Sequence, residues 1–308
     1  MPKGVPKSGF RVRRKGPNAG KPIIPRAMRG HSTIVHLDTS TFPVFKKEVK
    51  EETEEEIAAR LRDRFGIMES MVRLAIEGDA TSIIISGPAG LGKSHTVETL
   101  LKEYDPDEEN STIVKGYARA TGLYKVAYQN REKGKILVLD DADKIFSDET
   151  SLNILKALCD SGTTRRVSWL SEALLIDEEN GEPLPKHFEF AGTVIFITNY
   201  DFDEMIVAGT KLAPHMQALM SRSHYIDLTM KTPKDYMVRI KQVAQGGMLR
   251  AMGLSANEEA DVLGWMQEHM EELHKRDLSL RTALKLAMLR RSKPTTWRTF
   301  ARITCCKE

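Results

Sequence analysis

Cysteine is scarce in this 308-residue chain, where Cys159 and the adjacent Cys305 and Cys306 are the three present. Thiols at that spacing build neither a disulfide framework nor a zinc ligand set. A disulfide-stapled secreted domain is therefore excluded, and a reducing cytoplasm is expected, a host's cytoplasm if the chain is viral. No apolar run approaches the roughly 18 residues of a membrane helix, and the N-terminal residues lack the apolar core of a secretory signal, so no membrane partner is expected. The histidines are scattered. His269 and His274 stand five apart rather than the four that would share a helix face, and no Ser-His-Asp order suggests a hydrolytic triad. Internal repeats are missing as well. Acid is missing from residues 1–30, which carry nine Lys or Arg, so the net charge of +3 conceals a basic tail on a mildly acidic body.

Against these absences stands one dense stretch. Ser82-Ile83-Ile84-Ile85-Ser86 is a strand-forming run, and it feeds Gly87-Pro88-Ala89-Gly90-Leu91-Gly92-Lys93-Ser94, followed by His95 and a helical segment to Glu103. Gly87, four residues, then Gly92-Lys93-Ser94 is the spacing of a phosphate-binding loop. Its glycines let backbone N–H groups turn inward, its lysine reaches the terminal phosphates and its hydroxyl ligates magnesium. The helix adds its positive N-terminal end. A second apolar run, Ile136-Leu137-Val138-Leu139, ends in Asp140-Asp141, placing two carboxylates where a metal and an attacking water would be held. A third, Thr193 to Thr198, ends in Asn199, which can position that water or simply favour a turn.

The remaining segments frame this set. Helices are expected from Glu51 to a cap at Gly66 and from about Ile67 to Glu77, the second with Ile67, Met71, Leu74 and Ala75 at helical spacing. A strand follows at Thr112–Tyr117, then a helix bearing Leu123, Val126 and Ala127, and another from Asp148 to Cys159. Arg165 to Leu170 reads as extended. Asn180-Gly181 lies between Ala173–Ile176 and His187–Phe190, a hairpin pattern with a longer loop. After a helix over Ala213–Met220 come Ser221-Arg222-Ser223 and a last strand, His224–Leu228. Beyond it the chain is helical, with starts at Thr232-Pro233, at Ser255 with Glu258 as a capping box, and at Ser279-Leu280-Arg281.

Taken in this order, the motifs resemble those of AAA+ ATPases over about residues 55–292. The resemblance implies an α/β fold: a P-loop core with a five-stranded parallel sheet flanked by helices, plus a small C-terminal helical lid, with ATP and Mg2+ bound between them. It implies an N-terminal arm over 1–50, the nucleotide-binding domain over 51–230, and lid and terminal helices over 231–308. It also implies homo-oligomerisation into a ring or spiral, commonly a hexamer, because a neighbour completes each site. Carried over by position, Gly87 to His95 would cradle the phosphates, Ser94 and Asp140 would hold the metal, and Lys93 would contact the terminal phosphates. Asp141 would be the catalytic acid, where many members have Glu and some, replication initiators included, have Asp. Asn199 would be the first sensor and Arg222 an arginine finger reaching the next subunit. Arg281 would be the second sensor on the lid, an exposed helix arginine being the alternative.

The substrate expected is DNA or a DNA-bound complex, with a partner protein as the alternative. Tyr117-Ala118-Arg119-Ala120-Thr121-Gly122 does not match the aromatic-apolar-Gly order of protein-threading members. The extended segment before Asn199 is similar to pore hairpins of DNA-translocating members, with Arg165, Arg166 and Lys186 as basic candidates beside the readings of a solvated face or an intersubunit salt bridge. The tail, with Pro2, Pro6, Pro17, Pro22, Pro25 and Pro43 and one aromatic among its first thirty residues, Phe10, cannot bury enough apolar surface to order alone. It is expected to act as a phosphate-neutralising arm or to remain a solvated tail. In general character the chain looks like small AAA+ proteins of phages and mobile elements.

Overall fold

The computed structural model describes residues 52–116, 119–162, 164–171, 174–177 and 181–307. The N-terminal arm expected over residues 1–50 lies outside them. Helix α1 (Glu54–Glu77) opens with a capping box, Thr53 and Glu56 each accepting from the other's backbone N–H, and with three glutamates in its first turn facing the helix dipole. It then runs for 24 residues and stops at Gly78, whose φ of 86° suits glycine. The expected break at Gly66 does not occur. A mid-helix glycine costs about 1 kcal/mol, and burial of Ile57, Leu61, Phe65, Met68, Val72, Ala75 and Ile76 along one face outweighs it. That face is rotated from the one marked by Ile67, Met71, Leu74 and Ala75. Ala75 is buried and Met71 partly so, whereas Ile67 is 58% exposed and Leu74 38%.

The chain continues through β1 (Ser82–Ser86), α2 (Lys93–Tyr104), β2 (Ser111–Lys115), α3 (Ala120–Gln129), β3 (Ile136–Asp140), α4 (Glu149–Leu158), β4 (Arg165–Ser168), β5 (His187–Phe190), β6 (Thr193–Thr198), α5 (Phe202–Val207), α6 (Ala213–Met220) and β7 (His224–Asp227). Five strands form one parallel sheet in the order β2-β3-β6-β1-β7. The central strands β1, β3 and β6 are buried along their whole length, as continuous apolar runs in a two-faced parallel sheet should be. Within β1, Ile84 packs into one core and Ile83 and Ile85 into the other, each fully buried and worth roughly 1.5–3 kcal/mol. The first core holds α3, α4, α6 and the β4–β5 pair; the second holds α1 and α2.

The hairpin is paired differently from its expected form. β5 runs antiparallel to β4, with Arg165 opposite Phe190 and Arg166 opposite Glu189, while Ile176 makes a single bridge to Pro183. Ala173 and Asn180 lie outside the described residues. The β-branched and aromatic content is shared by all three segments, but only β4 offers alternating buried Arg165 and Val167 to match Phe188 and Phe190 on the core face.

Helices α7 (Pro233–Gln245), α8 (Met248–Ala251), α9 (Ala256–Glu268), α10 (Met270–His274), α11 (Leu280–Ser292) and α12 (Trp297–Cys305) share a third core around Trp265, Leu286 and Trp297. Capping boxes at Thr232 with Asp235 and at Ser255 with Glu258 start α7 and α9 where the sequence placed them. Helix α1 ties this group to the sheet. Arg60 donates to the fully buried Asp235 at 2.9 Å, and Gln242 donates to the Ala58 carbonyl at 2.7 Å. Among the described residues no helix is long and apolar enough to cross a membrane.

Candidate nucleotide site

Three strand ends define the site. At the end of β1 the chain turns through Gly87, Gly90 and Gly92, all at positive φ, and enters α2 with Gly92 as its N-cap. Lys93 is buried and its ammonium donates to the carbonyls of Gly87 and Pro88 (2.8 Å for the latter) and to Asn199 Oδ1 at 3.1 Å. Burial pushes its pKa down to about 8, against the pull of Asp141 and Asp140. At the end of β3, Ser94 donates its hydroxyl to Asp140 Oδ1 at 2.8 Å. Burial raises the Asp140 carboxyl above its usual range, and the Ser94 hydrogen bond opposes the rise.

Asp141 leaves β3 in the left-handed conformation, φ 52°, its N–H held by the Ile197 carbonyl at 3.2 Å. That conformation costs a non-glycine residue on the order of 1 kcal/mol and is tolerated best by Asp and Asn. It carries the Asp141 carboxylate to the end of β6, where it accepts from Asn199 Nδ2 at 2.7 Å. Lys93, Asn199 and Asp141 thus form one hydrogen-bonded row, the amide oriented by a donor on one side and an acceptor on the other.

The lid closes directly on the loop. Leu280 N–H, at the start of α11, donates to the Gly90 carbonyl at 2.9 Å. A Cβ on Gly90 would lie 2.7 Å from Ser279 Cβ, so only glycine permits this approach. Between loop and lid lies a cavity of about 690 Å³. The residues from Ala89 to Thr96, with Asp141 and Asn199, line one wall, and Arg239, Val243, Met248, Leu280, Arg281 and Leu284 line the other.

The sequence-predicted residues Lys93, Ser94, His95, Asp141, Asn199 and Arg281 therefore line one cavity, and Asp140 lies buried behind its wall on Ser94. Arg222 does not join them. Its carbonyl accepts from Ser82 at the opposite end of β1, and its guanidinium contacts Asp160 at 3.6 Å and the Ala218 carbonyl at 2.8 Å. Arg165 departs from its expected role. It is 2% exposed beneath the sheet, not on a basic surface, and Arg166 and Lys186 are the exposed members of that trio.

Two contributors had no clear motif. Asp143, the third acid of Asp140-Asp141-Ala142-Asp143, accepts from Thr198 at 2.7 Å, and burial raises its pKa. Arg239 on α7 stacks on the Phe65 ring at 3.4 Å from its centroid, reaches the Leu91 carbonyl at 3.4 Å, and is pushed down to about 10 by burial. Nothing in the local sequence separates Arg239 from a surface helix arginine; its position on α7 against α1 does.

The donor set fits the ligands that the fold implies. Ser94 and Asp140 converge hard oxygen donors of the kind magnesium takes, and the glycine-lined loop with Lys93 offers a cradle for polyphosphate.

An uncharacterised 36.7 kDa protein of Enterobacteria phage T4, from the nrdC–mobD intergenic region, is 40% identical over 256 residues, 82% of this chain and 77% of its own length. The chain belongs to the family of this phage protein. The five-stranded parallel sheet, the phosphate loop and the C-terminal helices have the arrangement that the resemblance to AAA+ ATPases implies. No model of a known protein family matches the sequence. Among solved structures, NtrX from Brucella abortus in complex with ATP covers 77% of the chain at 16% identity and a TM-score of 0.46; the chain spans 52% of NtrX, about half its length. A point variant of RuvB from Thermotoga maritima covers 80% at 12% identity and a TM-score of 0.44, the chain spanning 68% of it. PCH-2 from C. elegans covers 82% at 12% identity and a TM-score of 0.34, with 68% of its length spanned.

Proposed function

We propose that this protein is a magnesium-dependent ATPase that works as an oligomer, a ring or spiral of about six subunits by family resemblance, to remodel or translocate DNA or a DNA-bound complex. The observation that carries the ATPase reading is the row Lys93–Asn199–Asp141 beside the Ser94–Asp140 pair, on a phosphate loop covered by the lid. Lys93 and the loop N–H groups bind the β- and γ-phosphates, and Arg281 meets them from the lid. Ser94 and Asp140 hold magnesium, which when bound neutralises charge on the phosphate oxygens. Asp141 takes the proton of a water whose oxygen bonds to the γ-phosphorus as the bond to the β–γ bridging oxygen breaks, and Asn199 orients that carboxylate. The residues 1–50 supply a basic arm for nucleic-acid phosphates.

Asp141→Asn should bind ATP with near-normal affinity and turn it over at least about 10²-fold more slowly, as expected for loss of a general base. Steady-state phosphate release, with and without DNA, checks this. Wild-type turnover by Asp141→Asn would remove Asp141 from the mechanism, and turnover indifferent to DNA would remove DNA as the substrate.

Arg239 extends the proposed binding set, its stack on Phe65 aiming a desolvated cation along the lid wall. Arg239→Ala should weaken binding of a fluorescent ATP analogue by roughly 10- to 100-fold, the loss of a charge-assisted hydrogen bond in a partly dry site. An unchanged titration would make Arg239 a purely structural contact between α7 and α1.

A second reading, a switch or loading factor whose nucleotide state controls a partner protein, is favoured by one observation. Leu170, Leu174 and Ile176, after β4, are 85%, 66% and 44% exposed, more apolar surface than a short loop ordinarily presents.

A further inference from the structure

We propose that the turn from α11 to α12, with the outer face of α12, is a nucleic-acid-binding surface separate from the nucleotide cavity and from the N-terminal arm. From Leu278 to Lys307 the chain has eight Lys or Arg and no Asp or Glu. Acids on α9 answer part of this charge. Arg290 pairs with Glu258 at 3.3 Å and with Asp261 at 2.9 Å, and Arg298 pairs with Asp261. Arg291, Lys293 and Arg302 are exposed and have no ion pair among the described residues; Arg291 donates to the Met252 carbonyl, which leaves its charge uncompensated. Exposed cations without a paired acid attract a polyanion.

Helix α12 is fastened by one narrow stripe. Trp297, Ala301 and Cys305, four apart, are buried, Trp297 packing on Trp265 at 5.8 Å. The rest of the helix faces outward, including Phe300 at 45% exposure and Ile303 at 73%. Phe300 and Arg302, two apart, flank the outward face of α12 on either side of the buried stripe, and an exposed ring with exposed cations is what a strand needs, phosphates meeting the basic groups and a base stacking on the ring. An acidic protein would be served by the charge but not by the lone ring. A membrane surface would need a broad apolar face, and Phe300 and Ile303 are the two large apolar side chains that α12 exposes.

The test uses the full chain and a fluorescein-labelled 30-nucleotide single strand, with its duplex form, in anisotropy titrations across a salt series. Arg291→Gln/Lys293→Gln/Arg302→Gln should bind roughly 10- to 100-fold more weakly at low salt. Its slope of log affinity against log salt should be shallower by about two, three lost phosphate contacts at about 0.7 each. Phe300→Ala should weaken binding of the single strand by at least about fivefold, with its salt slope retained. A charge-matched control on the sheet domain, Lys102→Gln/Lys133→Gln/Lys211→Gln, should keep wild-type affinity to within about twofold. Binding of a fluorescent ATP analogue should be unaltered in the triple variant, which shows that it is folded and separates this proposal from the ATPase reading. Equal affinity and slope for triple variant and wild type would overturn the proposal, as would an equal loss in the charge-matched control. Tight binding to anionic vesicles that the nucleic acid fails to compete would overturn it too.

Discussion

Arg222→Ala is expected to lower ATP turnover by about 10³- to 10⁵-fold while leaving ATP binding intact, the range of an arginine finger that stabilises charge on the transferred phosphoryl group. The expectation rests on where Arg222 cannot be. Its carbonyl is held by Ser82, the first residue of β1, while the phosphate loop leaves the last residue of that strand. Five residues of strand separate the two by about 13 Å, and the guanidinium engages α6 and Asp160, away from the cavity. An arginine so placed can act on a phosphate only in another copy of the chain. Its contact with Asp160 does not hold it back, since both side chains are substantially exposed, 37% and 60%, and such pairs are worth 0 to about 1 kcal/mol. Mixing Arg222→Ala with Lys93→Ala protein should restore part of the activity: the first supplies an intact phosphate loop and the second an intact finger. Wild-type turnover by Arg222→Ala alone would end the assignment. Absence of rescue in a mixture that co-assembles would show that the site is not shared.

The cavity was readable in the sequence because its chemistry sits at the ends of strands whose apolar runs are unambiguous. Ile83 to Ile85, Leu137 to Leu139 and Val194 to Ile197 are buried on both faces, so each run marks a central parallel strand and the polar residue after it marks the sheet's ligand-binding edge. What stayed hidden depends on packing between elements distant in sequence. Gly66 looks like a helix stop until seven apolar residues on one face of α1 outweigh it. Arg239 acquires its place from Phe65, 174 positions away, and Asp143 from Thr198. No local period carries that information.

Arg165 and Arg166 give the sharpest case, and the second large expected effect. Adjacent in sequence and identical in type, they differ by one step of a strand whose side chains alternate between faces. Register decides their fates: Arg165 stands opposite Phe190 and points into the core, Arg166 stands opposite Glu189 and points to solvent. The buried guanidinium lies 4.8 Å from the Phe190 ring centre, and no carboxylate among the described residues is bonded to it. It donates instead to the carbonyls of Thr81 (3.1 Å), Leu158 (2.7 Å), Phe190 (3.4 Å) and Gly192. Those carbonyls belong to the entry of β1, the end of α4 and the turn between β5 and β6, so one side chain fastens the hairpin beneath the sheet. Burial lowers its pKa against the opposing pull of Cys159 and Asp160. Arg165→Met would keep most of the packing but leave several buried carbonyls short of a donor, a loss of about 3–5 kcal/mol. For a domain of this size that lowers the melting temperature by about 10 °C. Arg166→Met, made one residue away, should stay within about 0.5 kcal/mol of wild type. Paired thermal melts read the contrast, and ATP binding measured well below the transition should survive in both, because the phosphate loop leaves the other end of β1. Equal melting temperatures would mean that water reaches those carbonyls when Arg165 is gone, and that the hairpin is held by Val167, Phe188 and Phe190 alone.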